Sequence, residues 1–156
     1  MMITVAAPTM PPPGAGAASG SVPEPAAREG VLRVLLVEDE VIVAWDIAET
    51  VKRLGYKIVG MADNAEQAVK LAEGLVPDVI LMDIRLNGAL DGIEAARLIR
   101  ERTGRGVVYL TAHADLATME RAAATEPLGY VFKPFSQEVL RSALLRASAA
   151  AGPASN

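Results

Sequence analysis

The stretch Asp78-Val79-Ile80-Leu81-Met82-Asp83 decides the fold of this chain, because it is a short apolar run that ends abruptly on a carboxylate. Short apolar runs with β-branched residues are typical of strands buried on both faces of a sheet. Working outward, we predict four more strands, at 31–37, 57–62, 106–110 and 128–132. We predict helices between and after the strands, at 41–54, 64–75, 91–102, 115–124 and 136–149.

This alternation of strands and helices predicts the architecture. Such alternation favours a parallel sheet with helices on both faces, which binds ligands beyond the carboxyl ends of its strands. Two helix starts carry capping patterns, since Asn64 precedes Gln67 and Asp91 precedes Glu94, each by three residues. We therefore expect an α/β domain with five parallel strands.

Polar side chains stand where four of the predicted strands end. They are Glu38, Asp39 and Glu40 after the first strand, Asp83 after the third, Thr111 after the fourth and Lys133 after the fifth. In a parallel sheet these residues converge on one edge, where clustered carboxylates repel one another unless a cation joins them. Oxygen ligands without His or Cys suit Mg²⁺ better than zinc. The pattern predicts a magnesium site.

A carboxylate in such a site can also act as a nucleophile. Its attack on phosphorus gives an aspartyl phosphate, and phosphoryl transfer needs mainly positioning and neutralised charge. Mg²⁺ would supply two positive charges and the Lys133 ammonium a third, while the Thr111 hydroxyl would donate to another phosphoryl oxygen. The residues therefore indicate metal-assisted phosphorylation of an aspartate.

Four segments of the chain resemble the receiver domains of two-component response regulators. The segments are Leu35-Leu36-Val37-Glu38-Asp39-Glu40, Asp78-Val79-Ile80-Leu81-Met82-Asp83, Tyr109-Leu110-Thr111-Ala112 and Gly129-Tyr130-Val131-Phe132-Lys133-Pro134-Phe135. Their order and separations match the family over about residues 31–150. The resemblance implies the flavodoxin-like receiver fold, an α/β fold with a five-stranded parallel sheet of order 2-1-3-4-5 and helices on both faces.

The resemblance implies a role for each acidic residue of the predicted site. Asp83 is similar to the phosphoacceptor of the family, and Asp39 to a carboxylate that binds Mg²⁺ directly. Glu38 is similar to a carboxylate that acts on the metal through water, and Arg85 to the residue whose backbone carbonyl is a further ligand.

The resemblance also implies a phosphoryl-binding and switching apparatus. Thr111 is similar to the switch hydroxyl that follows the phosphoryl group, and Lys133 to the lysine that binds it, with a cis bond to Pro134. Tyr130 is similar to the switch aromatic, which turns inward as Thr111 moves; its alternative role is simple packing at the strand edge.

The loop after Asp83 departs from the commonest receiver pattern. Asn87 stands where many receivers have proline, and the loop to Asp91 is one residue longer. This loop resembles a receiver subtype that is often tied to sensory kinases. Arg85 and His113 stand where the family tunes the lifetime of the phosphoryl group, although a solvent-facing loop residue is the alternative for His113.

The first predicted helix carries a tryptophan on its outer side. Its core face is defined by Val43, Ile47, Val51 and Leu54, which follow a period of 3.6 residues. At about 100° per residue, Trp45 falls opposite that face with Ile42 beside it. We predict either that these two residues contact the protein that donates the phosphoryl group, or that Trp45 folds back onto its own helix.

Composition narrows the classes of partner. The formal charge of −4 does not favour direct binding to nucleic acid or to an anionic membrane. The 156 residues contain no cysteine, which excludes disulfides, zinc thiolate sites and cysteine nucleophiles. Residues 1–30, of which 17 are alanine, proline or glycine, are predicted to be a disordered tail or an over-long start, with Met2 or Met10 as the initiator. The alternative for this segment is a proline-rich docking segment. We expect a cytoplasmic protein with a receiver at 31–150 and a short tail at 151–156.

The resemblance implies a signalling protein that catalyses only its own phosphorylation and dephosphorylation. Its partners would be a sensor histidine kinase or a histidine phosphotransfer protein and an unknown downstream protein, reached by contact or phosphorelay without an output domain of its own. A homodimer through the fourth helix, fifth strand and fifth helix is also compatible with the family.

Three other functions are alternatives to a phosphorylated receiver. A degenerate receiver would lack part of the residue set. A haloacid dehalogenase-type phosphatase would need a second aspartate where Arg85 stands. A transcription factor would need a basic helix-turn-helix after the last helix, and none follows there.

Overall fold

The computed structural model describes residues 31–112 and 115–151, with the backbone alone described at Ala151. Five strands alternate with five helices in this part of the chain, in the predicted order. The elements are β1 (Arg33–Val37), α1 (Val41–Arg53), β2 (Lys57–Ala62), α2 (Ala65–Leu75), β3 (Val79–Asp83), α3 (Gly92–Thr103), β4 (Val107–Thr111), α4 (Leu116–Ala124), β5 (Gly129–Phe132) and α5 (Gln137–Ala151). The predicted boundaries differ from these by at most two residues.

The five strands form one parallel sheet of order β2-β1-β3-β4-β5, which confirms the predicted fold class. β1 and β3 lie at its centre, where Val37 pairs with Met82. β4 follows beside β3, with Leu110 opposite Asp83. The carboxyl ends of β1, β3 and β4 therefore lie side by side.

The central strands are apolar without interruption because helices cover both faces of the sheet. On one face, Leu35 and Ile80 pack among the buried residues of α2 and α3. On the other face, Leu36 and Leu81 pack among those of α1 and α5. Successive strand residues point to opposite faces, so both alternating sets have to be apolar here. This core holds the strand ends in fixed positions.

The predicted caps form, although one differs in detail. Asp91 Oδ1 accepts a hydrogen bond from the Glu94 amide at 2.9 Å, and Asn64 Oδ1 accepts one from the Gln67 amide at 2.8 Å. The Gln67 side chain accepts from the amide of Asp63 at 3.1 Å, one residue before the expected partner in a capping box. Asn64 still caps the helix, because its own side chain makes the bond to the first turn.

Some predictions lie outside the described residues. They concern the tail at 1–30, His113 and residues 152–156. α5 continues to Ala151, one residue into the segment predicted as the C-terminal tail. None of the helices in the described ranges has the length and apolarity needed to cross a membrane.

Candidate functional site

Three carboxylates meet at the carboxyl edge of the sheet. Glu38 and Asp39 directly follow β1, and Asp83 is the last residue of β3. One oxygen from each of the three lies within 4.8 Å of the others. Glu38 and Asp83 are buried, with 3% and 7% of their surface exposed, while Asp39 is half-buried. The structure therefore brings the predicted acidic cluster together.

Lys133 reaches this cluster from the end of β5. Its Nζ lies 2.8 Å from Glu38 Oε1 and 3.4 Å from Asp83 Oδ2. Its backbone amide donates to the Thr111 carbonyl at 2.8 Å, and its peptide bond to Pro134 is cis, as expected. The lysine ammonium thus partly neutralises two of the three carboxylates.

Each carboxylate also accepts one hydrogen bond from a backbone amide. The donor to Glu38 Oε2 is Glu40 at 3.2 Å, and the donor to Asp83 Oδ1 is Arg85 at 3.0 Å. The donor to Asp39 Oδ2 is Asn87 at 3.1 Å, from the loop that follows β3. Such bonds hold a side chain in one orientation and leave its second oxygen directed elsewhere.

The electrostatics of the site oppose ionisation of Asp83. Burial and then the negative charge of Glu38 raise the pKa of Asp83 from 3.8 to about 7, although the Lys133 charge and the Arg85 amide work to lower it. Burial works to lower the pKa of Lys133, but its hydrogen bond to Glu38 and the charges of Asp83 and Glu38 outweigh burial and raise it. The site is therefore short of positive charge at neutral pH.

The predicted switch residues lie on the neighbouring strands. Thr111 ends β4 and is buried beside the end of β3. Tyr130 in β5 is half-buried, and its ring stacks on those of Tyr109 and Phe132 with centroid separations of 5.9 and 6.3 Å. The Tyr109 hydroxyl lies 2.6 Å from Thr125 Oγ1 at the end of α4, which joins this aromatic stack to that helix.

Two residues that position the site were not predicted from the sequence. Gly92 begins α3, and its amide donates to the Ile84 carbonyl at 2.9 Å; a Cβ on Gly92 would collide with the Asp83 carbonyl. The Asn87 amide contacts Asp39, whereas the sequence marks Asn87 only as a departure from the proline of many receivers. A glycine directly after the Asp91 cap is the signal that could have indicated such a close approach.

The two candidate partner residues are exposed on α1. Ile42 and Trp45 have 83% and 66% of their surface accessible, and Val41 beside them is also exposed. The buried positions of the helix include Ile47 and Val51, as its period predicted. The expected outward placement of Trp45 is therefore confirmed.

The sequence of the whole domain matches a known protein family. The family description "Response regulator receiver domain" matches residues 34–145, which is more than half of the chain. This chain belongs to the response regulator receiver domain family. Receiver domains are signalling domains, so the match favours signalling over the phosphatase alternative.

Two curated relatives share 38–40% sequence identity with this receiver. The transcriptional regulatory protein PdtaR of Mycobacterium tuberculosis H37Rv is 40% identical over 104 residues, which cover 67% of this chain and 50% of that protein. The positive alginate biosynthesis regulatory protein of Pseudomonas aeruginosa is 38% identical over 120 residues, which cover 75% and 47%. The chain spans about half the length of these relatives.

Solved structures share the fold of this receiver. The signal receiver domain of a modulated diguanylate cyclase from Desulfovibrio desulfuricans G20 matches with a TM-score of 0.74 and 35% identity, covering 78% of this chain and 96% of that one. The receiver domain of sensor histidine kinase PA1611 from Pseudomonas aeruginosa PAO1 matches with a TM-score of 0.70 and 33% identity, covering 77% and 99%. The latter structure has a magnesium ion coordinated in its active-site cleft.

The side chains of this receiver suit a magnesium ion. The donor set is made of oxygen atoms, and the lysine contacts only two of the three carboxylates, so the site carries excess negative charge. Hard oxygen donors with unbalanced negative charge are what Mg²⁺ requires in proteins. The residues present therefore fit this metal.

Proposed function

We propose that this receiver accepts a phosphoryl group on Asp83 from a histidine-phosphorylated sensor kinase or histidine phosphotransfer protein, and signals by protein contact or phosphorelay. The observation that supports this proposal best is the arrangement around Asp83. Its carboxylate lies with those of Glu38 and Asp39 at the sheet edge, and Lys133 Nζ lies 3.4 Å from Asp83 Oδ2. A nucleophile beside a fixed cation is what phosphoryl transfer requires.

The proposed reaction moves one phosphoryl group between two side chains. A carboxylate oxygen of Asp83 forms a bond to phosphorus while the phosphorus–nitrogen bond of the donor phosphohistidine breaks. The electron pair of that bond stays on the imidazole nitrogen, which then takes up a proton. Lys133 neutralises one phosphoryl oxygen, and the Thr111 hydroxyl donates to another.

Mg²⁺ is the proposed cofactor of this step. Asp39, Asp83 and the backbone carbonyl of Arg85 would hold it directly, and Glu38 would hold it through water. Bound Mg²⁺ would supply positive charge to the carboxylates and to the phosphoryl oxygens. The support for this proposal is the cluster of three carboxylates and the pKa of about 7 for Asp83, which burial and then the negative charge of Glu38 raise.

Phosphorylation is proposed to act through the neighbouring strands. Thr111 would move toward the phosphoryl group, and Tyr130 would turn inward. These movements would shift the surface formed by α4, β5 and α5 from one of two conformations toward the other. The stack of Tyr130 on Tyr109, and the contact of Tyr109 with Thr125, support a path from the strand ends to α4. Exposed Leu116, on α4, would contribute to a partner or homodimer surface there.

Labelling with acetyl phosphate and Mg²⁺, followed by mass spectrometry of the intact chain, tests the phosphoacceptor. Wild-type protein should gain one phosphoryl group, Asp83→Asn none, and Asp46→Asn, which changes an exposed carboxylate on α1, as much as wild type. Absence of label in the wild type, or label that persists in Asp83→Asn, contradicts the proposal.

The exposed face of α1 is the proposed contact for the phosphodonor protein. The exposure of Ile42 and Trp45 supports this proposal, because apolar side chains in the open are typical anchors at protein interfaces. Trp45→Ala should slow phosphoryl transfer from the phosphorylated kinase about tenfold or more. Its labelling by acetyl phosphate should stay normal, since that donor needs no protein contact. Equal kinase rates for variant and wild type would remove the residue from the interface.

A further inference from the structure

The three carboxylates of the site are oriented by different kinds of backbone contact. The amides that bind Glu38 and Asp83 belong to Glu40 and Arg85, two residues further along the chain in each case. These bonds are local, so they depend only on the backbone within two residues of each carboxylate. The third amide, that of Asn87, comes from 48 residues away and binds Asp39 across the space between two loops.

The contact leaves Asp39 one oxygen for another partner. Asp39 Oδ2 accepts from the Asn87 amide, and no second donor contacts the Asp39 carboxylate within the ranges 31–112 and 115–151. One oxygen of Asp39 also lies within 4.8 Å of an oxygen of Glu38 and an oxygen of Asp83. A carboxylate held through one oxygen presents the other in a fixed direction, and such outer contacts strengthen metal binding.

The contact depends on the backbone at residue 87. Asn87 itself is exposed, so its side chain is not required for packing. Gly88 follows with a φ of +116°, a conformation that favours glycine and directs the preceding peptide. A Cβ on Gly88 would meet nothing closer than the Glu66 carboxylate at 4.0 Å, so a substitution there would act through the backbone conformation.

We propose that the Asn87 backbone amide is a positioning group for Mg²⁺, which fixes Asp39 as a metal ligand and so links the conformation of the loop after β3 to metal affinity. This inference rests on the proposed function, because it takes Asp39 as a ligand. It adds that residue 87 must carry an amide hydrogen for full affinity. In this loop, which is one residue longer than the commonest receiver loop, the side chain at position 87 is then free to vary. Proline, which many receivers carry at the matching position, is not equivalent here because it has no amide hydrogen.

The test compares two substitutions at one position. Asn87→Ala keeps the amide hydrogen and Asn87→Pro removes it. Isothermal titration with MgCl₂ should give Asn87→Ala an affinity within about twofold of wild type, and Asn87→Pro an affinity about tenfold weaker, near the lower end of the range for such outer contacts. The thermal midpoint of each variant in EDTA checks that its fold is unchanged.

Gly88→Ala provides an independent variant in case proline disturbs the fold. It keeps the amide of residue 87 but strains the turn that directs it, so its Mg²⁺ affinity should fall about threefold or more. If a folded Asn87→Pro binds Mg²⁺ as tightly as Asn87→Ala, the inference is wrong. If Asn87→Pro does not fold, an unchanged affinity in Gly88→Ala overturns it. Failure of wild type to bind Mg²⁺ would instead contradict the proposed cofactor.

Discussion

Replacing Asp83 by asparagine is expected to stabilise the metal-free receiver. Ionised Asp83 is buried beside ionised Glu38, and these two causes raise its pKa from 3.8 to about 7. A rise of about three units corresponds to about 4 kcal/mol at most, since each unit is about 1.4 kcal/mol. Asparagine removes the charge and keeps an oxygen for the Arg85 amide, but it loses the attraction to Lys133.

The expected gain is therefore smaller than the upper limit. We expect Asp83→Asn to raise the free energy of unfolding by about 1–3 kcal/mol at pH 8 in EDTA, or its thermal midpoint by about 4–10 °C. The gain must depend on pH. Between the unfolded pKa of 3.8 and the folded pKa of about 7, the native state of the wild type binds more protons than the unfolded state. Wild-type stability from this group is thus greatest at low pH and falls as the pH rises to about 7.

Urea unfolding of wild type and Asp83→Asn in EDTA, from pH 4 to pH 8, measures this effect. The difference between the two proteins should be close to zero near pH 4 and should widen up to about pH 7. Asp46→Asn is the matched control, because its carboxylate is exposed on α1 and its removal should change stability by less than about 0.5 kcal/mol. A difference that is absent at pH 8, or that is the same at every pH, refutes the reasoning.

Three further substitutions test backbone conformations and contacts outside the carboxylate cluster. Val76→Gly should stabilise the protein by about 0.5–1 kcal/mol in urea unfolding, because Val76 adopts a φ of +46° that glycine adopts without strain. Gly92→Ala should destabilise it by about 1–3 kcal/mol and reduce acetyl phosphate labelling, because the new Cβ collides with the Asp83 carbonyl. Tyr109→Phe should cost about 1 kcal/mol in the same unfolding assay by removing the buried hydroxyl contact to Thr125, and a smaller loss would show that this contact is weak.

The fold and the site membership were predictable because both follow from short-range patterns. Apolar runs with a carboxylate, a hydroxyl or a lysine at their ends define the strands, and parallel pairing then brings these ends to one edge. Parallel pairing therefore places Asp39, Asp83, Thr111 and Lys133 at one edge, whereas the order of the strands was implied by the resemblance to receiver domains. The exposure of Trp45 follows in the same way from the helical period of α1.

The electrostatics and the loop contact could not be predicted in this way. The pKa of Asp83 depends first on its burial and then on distances of a few ångströms to Glu38 and Lys133, which come from distant segments. The bond from the Asn87 amide to Asp39 depends on the path of an irregular loop, which carries no periodic signal. Side-chain patterns do not report on a backbone donor, because every residue except proline carries one.

The formal charges of the cluster explain why one site can be both unfavourable for stability and suited to its proposed reaction. Three ionised carboxylates and the Lys133 ammonium sum to −2, so a divalent cation brings the cluster to neutrality. The proposed phosphorylation of Asp83 would then replace a carboxylate of charge −1 by a phosphoryl group of about −2. The added charge is only about −1, and Lys133 and Thr111 lie at the ends of adjacent strands to meet it. A neutral residue at position 83 would relieve the repulsion between the carboxylates, but it would also remove the nucleophile and part of the attraction for the metal. The expected instability of the metal-free site is therefore a direct consequence of the charges that the proposed reaction needs.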